Sequence, residues 1–167
     1  MITPRAFRGL LALLLAAPAA GSALAQSAPA AGAAPAAAAP YAMMLGDMMN
    51  TLIQPRHAKL GVAGKAQNWP LAQYAMIVIR QSFAGIVKAQ PKFRGLPVGE
   101  LVTAALGQPM DAVDAAIKVQ NPQQFATAYA QLTAGCNACH VAADHPYVVI
   151  KTPDATAFPN QDFNPQH

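Results

Sequence analysis

Cys136-Asn137-Ala138-Cys139-His140 contains the only two cysteines of the chain. Two thiols three positions apart can each add to one vinyl group of a porphyrin, and the histidine that follows directly can put a ring nitrogen on the iron. On a helix, positions 136, 139 and 140 share a face, so both sulfurs and the imidazole project to the same side. The pentapeptide reads as the attachment site of one covalent haem c, with Cys136 and Cys139 as anchors and His140 as proximal iron ligand. Other chemistries use the same residue types. A thioredoxin-type dithiol needs its pair at the start of a helix that follows a strand, whereas this pair lies deep in a helical run. A zinc site needs four ligands, usually from two such pairs, and only one is present. A disulfide across three helical residues has poor geometry.

The elements that must position this site read as helices. Asn121 is an N-cap, Pro122 suits the first helical position, and Gln124 completes a capping-box-like pattern. The stripe Phe125, Tyr129, Leu132, Cys136, Cys139, His140 then continues the core face into the haem motif, which places the cofactor inside the fold. A preceding helix is predicted from Pro109 to about Gln120, burying Met110, Val113 and Ile117. An earlier one begins near Asn68-Trp69-Pro70, with Ala72, Met76, Ile79, Phe83, Ile86 and Val87 on one face and Gln73, Arg80, Gln81 and Lys88 on the other. Tyr74 to Ile79 is apolar all round and could alone be a buried strand, but the wider window keeps helical period. Its wide apolar face predicts burial on two sides, as in a homodimer through the first two helices.

The first helix is predicted from Tyr41, burying Tyr41, Leu45, Met48 and Leu52, with a kink near Gln54 ahead of Pro55 and a stop at Gly64. Residues 89 to 108 carry Pro91, Gly95, Pro97 and Gly107 and read as a crossover with a short helix around Leu101 to Leu106. The fold class is therefore all-α: an antiparallel four-helix bundle with haem on its fourth helix.

The N-terminus speaks to location. Arg5 and Arg8 precede Leu10 to Ala17, and Ala23-Leu24-Ala25 offers small residues where a signal peptidase reads, so residues 1–25 are predicted to be an export signal to the periplasm. Its apolar run is too short to span a bilayer. Residues 26–40, nearly all alanine and proline, read as a tether, 41–150 as the haem domain and 151–167 as a proline-rich tail. The net charge of +4 falls to +2 once Arg5 and Arg8 leave, and two haem propionates would bring it near zero. There is no basic stripe or aromatic platform for nucleic acid. Neither a hydrolytic constellation, a phosphate loop nor a dinucleotide fingerprint occurs.

No methionine follows Met110, so a methionine ligand must come from upstream of the haem motif, where the first helix holds four. This order resembles the cytochrome c prime superfamily over about residues 42 to 150. The Cys136–His140 motif and the stripe that precedes it carry the likeness, and Arg56-His57-Ala58-Lys59-Leu60 with Ala63-Gly64 and Asn68-Trp69-Pro70-Leu71-Ala72 looks like a divergent exported branch of such haem proteins. The resemblance implies four antiparallel helices, haem on the fourth, and the first helix facing the other side of the iron. Asp144 stands where that family usually has a basic residue four positions beyond the haem histidine. The tail, with Pro146, Pro153, Pro159 and Pro165, extends well past the family's usual end.

Function turns on the sixth ligand. A thioether raises the potential and closes the site, whereas an apolar residue leaves iron open to diatomic gases. Met48 or Met49 is the candidate, against the bland reading of methionines as core filler. His57 is the lesser candidate, since a histidine just after a proline reads as an exposed surface or capping group. The leading expectation is a periplasmic monohaem c-type cytochrome, an electron carrier and not an enzyme, whose partners are periplasmic redox proteins. The alternative is a five-coordinate haem protein that binds NO or CO. A haem peroxidase would need a distal acid–base group that only His57 could supply.

Overall fold

The computed structural model describes residues 41–153. The predicted export signal and tether, and the tail from 154 onward, lie outside the described residues. The described chain is mostly helical: α1 (Leu45–Met48), a π-helical turn (Met49–Ile53), α2 (Gln54–Lys65), α3 (Trp69–Ala89), a hairpin of β1 (Lys92–Phe93) and β2 (Leu96–Pro97), α4 (Val98–Lys118) and α5 (Pro122–Ala142). None of its helices is long and apolar enough to cross a membrane.

Pro55 does not interrupt the first helical segment. It has no N–H to give the carbonyl four residues back, and the chain absorbs this by widening the turn before it, where the Gln54 N–H donates to the Met49 carbonyl five residues earlier. The extra residue rotates the remainder of the segment, so Ile53 and His57 enter the core. Tyr41, expected to be buried, precedes the helix, is 77% exposed and donates its hydroxyl to Asp47. The helix also begins later than predicted, because Asp47 accepts the Met44 N–H and closes the first turn there.

The predicted starts of α3 and α5 are found. The Asn68 side chain accepts from the Leu71 N–H at 3.2 Å and that of Asn121 from the Gln124 N–H at 2.9 Å. Helices α2, α4 and α5 end alike, with Gln67, Gln120 and Asp144 at φ of 56°, 54° and 63°. In each case the next residue's N–H reaches back to the carbonyl of Ala63, Ala116 or His140. This is the Schellman reversal, here without the usual glycine.

The region 89–108 departs most from its expected form. A two-residue hairpin, turned at Arg94 and Gly95 with both φ positive, leads directly into one continuous helix, α4. Pro109 lies inside that helix instead of starting it. The stripe Val98, Val102, Leu106, Met110, Val113, Ile117 stays buried across the proline, and this apolar seam outweighs one lost helical bond. The carbonyl that Pro109 leaves without an amide partner, that of Ala105, is covered by Gly135 of α5. A Cβ on Gly135 would collide with that oxygen, so only glycine lets the helices meet here.

Glycine also sets the contact between α2 and α5. Gly61 and Gly64 form a notch one turn apart, occupied by the rings of Tyr129 and Phe125, which stack at 5.7 Å. Trp69 meets Phe125 edge-on at 6.0 Å. Between α3 and α4, Arg80 bridges Asp111 and Asp114, each at 2.7 Å. Burial works against its charge, but the two carboxylates outweigh that and raise its pKa.

Candidate functional site

Helix α5 carries the cysteines near its C-terminal end. The stripe Phe125, Tyr129, Leu132, Cys136 is buried, and Cys139 and His140 continue it half-buried. All three residues of the motif border one cavity of about 270 Å3, close to the lower bound of about 300 Å3 for small-molecule sites. Its walls are mainly apolar: Leu45 and Ile53 from the first helical segment, Phe83 from α3, Phe93 from the hairpin, and Val102 and Leu106 from α4.

The thiols are not set up as nucleophiles. Burial pushes Cys136 up to about 12, with Cys139 adding to the effect, and burial raises Cys139 as well. Both are neutral at physiological pH. A redox-active Cys-x-x-Cys needs the opposite shift, supplied by a helix N-terminus, and Cys136 is the fifteenth residue of a 21-residue helix.

His140 is held by the segment that follows the helix. Its Nδ1 lies 2.7 Å from the Val148 carbonyl oxygen, which can only accept, so Nδ1 carries the proton and Nε2 is left as a bare donor to a metal. Asn137 makes two bonds to one residue of the same segment. Its Nδ2 donates to the Ile150 carbonyl at 2.9 Å, and its Oδ1 accepts the Ile150 N–H at 2.7 Å. His145, Val148 and Ile150 thereby complete the cavity lining.

Of the two methionine candidates, Met49 borders the cavity, while Met48 packs against the core without lining it. The π turn makes this difference, since it offsets the register by one residue just where Met49 stands. Met44 is 65% exposed.

His57 is buried, not on the surface as its place after Pro55 suggested. Its Nε2 is 2.9 Å from Thr133 Oγ1 and its Nδ1 3.0 Å from Tyr129 Oη, with the two rings stacked at 4.7 Å. Tyr129 Oη also lies 2.8 Å from the His57 carbonyl, and Thr133 Oγ1 lies 2.9 Å from the Tyr129 carbonyl. Both ring nitrogens therefore have partners within the protein, although one edge of the ring borders the cavity. Burial lowers the His57 pKa to about 4 and raises that of Tyr129. The sequence held a signal for this: Ile53, His57, Leu60 and Gly64 are spaced 4, 3, 4 across Pro55, which is a core stripe.

Among the described residues, no group of three or more His, Cys, Asp or Glu side chains could hold a bare metal ion. A porphyrin brings four nitrogens of its own, so a chain that held one would need to contribute only anchors, an axial ligand and apolar walls. Those are what Cys136, Cys139, His140 and the cavity lining offer. Compared with family models, curated proteins and solved structures, the chain matches none of them.

Proposed function

We propose that this chain is an exported monohaem c-type cytochrome that passes single electrons between periplasmic redox proteins. The observation that supports this best is that two neutral thiols and a histidine with one free ring nitrogen border the same apolar cavity from one helix face. Haem bound there supplies the one-electron Fe(III)/Fe(II) couple. Cys136 and Cys139 would hold it as thioethers, and before attachment their neutral thiols resist competing exchange. His140 offers Nε2 while Val148 keeps its tautomer fixed. Met49, on the cavity wall, is the sixth ligand we favour over Met48. The apolar walls exclude water and limit the polar rearrangement that accompanies each electron.

In this reading, α1 with α2, α3, α4 and α5 form an antiparallel four-helix bundle akin to that of cytochrome c prime, and residues 1–25 direct export. The exposed Tyr74 and Ile77 of α3 are the surface through which a homodimer would form. The test is the protein purified from the periplasm. Denaturing electrophoresis should leave haem on the polypeptide, and its mass should exceed the mature chain by one haem. Loss of all haem to acid-acetone rejects the reading. The oxidised protein should show the near-infrared band of methionine-to-iron charge transfer, and Met49→Ala should remove it and admit carbon monoxide. Ready binding of carbon monoxide by the unaltered ferrous protein favours a gas-binding function instead.

A further inference from the structure

We propose that Asn137, the residue just after the first cysteine, is a positioning residue for the proximal histidine. It acts by clasping the chain after α5 so that the Val148 carbonyl meets His140. This rests on the haem reading above, and it assigns residues 144–153 a place in the proximal site. The chain turns at the end of α5 on His140 itself, whose carbonyl accepts the His145 N–H at 2.8 Å, and Asp144 takes the left-handed conformation that the reversal needs. It then turns once more, with the Val148 N–H donating to the His145 carbonyl at 3.0 Å.

Two contacts fix the returning strap to one helix face. Asn137 and His140 are one turn apart, about 4.5 Å along the axis. Val148 and Ile150 are two residues apart, about 6.6 Å when extended, and project to the same side. His140 pairs with the nearer and Asn137 with the farther. Val149, which follows Val148, is 71% exposed while Ile150 packs against the core, as a strap with alternating faces requires.

The two contacts differ in strength. His140, half-buried, makes a single bond to the strap, which contributes only modestly once exchange with water is counted. Asn137 makes a paired bond to one backbone unit, donor to acceptor and acceptor to donor. That pairing fixes both position and orientation of Ile150, and with it the carbonyl two residues before. Ile150 also packs against the core, so the strap keeps an apolar anchor when the amide is removed. Losing Asn137 should therefore loosen the Val148 carbonyl without unfolding the protein. A bond from Nδ1–H to a fixed carbonyl makes the imidazole a stronger donor to iron and favours the ferric state.

The experiment compares the haem-loaded wild type with Asn137→Ala and Asn137→Asp, the latter keeping the bond to the Ile150 N–H but setting a carboxylate against its carbonyl. Both variants should retain covalent haem and show a more positive midpoint potential, and both should show a lower iron–histidine stretching frequency when compared in the Met49→Ala background, where the ferrous iron is five-coordinate. Variants that retain haem with the wild-type frequency and potential overturn the clasp and leave the cytochrome reading standing. A wild type without covalent haem overturns that reading instead. In the wild type alone, the Nδ1 proton of His140 should exchange slowly with solvent. Exchange as fast as in free histidine refutes the clasp even where neither variant accumulates.

Discussion

Gly135→Ala sets two effects of known size against each other. Glycine inside a helix is worse than alanine by about 1 kcal/mol, so propensity alone predicts a more stable protein. The added Cβ, however, would meet the Ala105 carbonyl oxygen and lie 2.9 Å from Leu106 Cδ2. The oxygen belongs to the backbone of α4 and sits roughly 1 Å inside a normal contact distance, so it cannot swing aside as a side chain would. Relief requires α4 and α5 to separate, and overpacking of this kind costs about 1–3 kcal/mol, here at the upper end. Subtracting the propensity gain leaves a net loss of about 2 kcal/mol, or roughly 6–10 °C in Tm. Gly85 in α3 is the control, since a Cβ added there would meet nothing within 4 Å, and Gly85→Ala should gain about 1 kcal/mol. Urea unfolding of the two variants beside the wild type measures both. Two gains of equal size would refute the close approach at Pro109. Because Cys136 is the next residue, Gly135→Ala should also lower the fraction of chains that acquire covalent haem.

Two more outcomes come from the geometry. His57 binds its proton less tightly in the folded protein, at about 4, than at its ordinary 6.5. Between those values the unfolded chain holds more protons, so this group's stabilisation is complete above pH 6.5 and is lost as pH falls toward 4, by about 3 kcal/mol in all. His57→Gln should flatten the stability profile over that window, and an unchanged slope would show that the ring titrates normally. Gln120 holds a left-handed conformation at the end of α4 with its side chain exposed, which costs a non-glycine residue about 1 kcal/mol. Gln120→Gly should raise stability by up to about 1 kcal/mol in thermal unfolding, and a loss would contradict the assigned φ.

Which parts are legible in the sequence depends on how local their causes are. Helices α3 and α5 each combine an asparagine cap, an early proline and an uninterrupted apolar stripe, and every one of those signals acts within a few residues. Local pattern starts α4 at Pro109, because proline breaks helices from within. The helix continues through it because its apolar seam is buried on both sides of the proline, and Gly135, distant in sequence, lets α5 pack closely beside the Ala105 carbonyl, a contact that no local pattern carries. The stripe from Val98 to Ile117 does span the proline and is the stronger signal. Gly64 marks the end of α2, as the sequence suggested, and with Gly61 it also forms the notch that receives Tyr129 and Phe125, which no local pattern shows.

The candidate site divides in the same way. Cys136, Cys139 and His140 are neighbours in sequence, so their common face follows from helical period alone. The choice between Met48 and Met49 could not follow from an ideal period, because the π turn ahead of Pro55 adds a residue to that turn and brings the later methionine to the cavity. The same proline that predicted a kink thus changes which side chain faces the site. The backbone's answer to a missing N–H is a shift in register, and with it Ile53 and His57 move onto the buried face. Straightening that turn is the change that would exchange the two methionines, and it requires restoring an amide at position 55: Pro55→Ala removes the reason for the wide turn at its source, in a position where the rest of the helix from Leu45 to Lys65 already supplies regular hydrogen bonds. On that background the near-infrared band should survive Met49→Ala and disappear with Met48→Ala, and a band that still depends on Met49 would show that the register is set elsewhere.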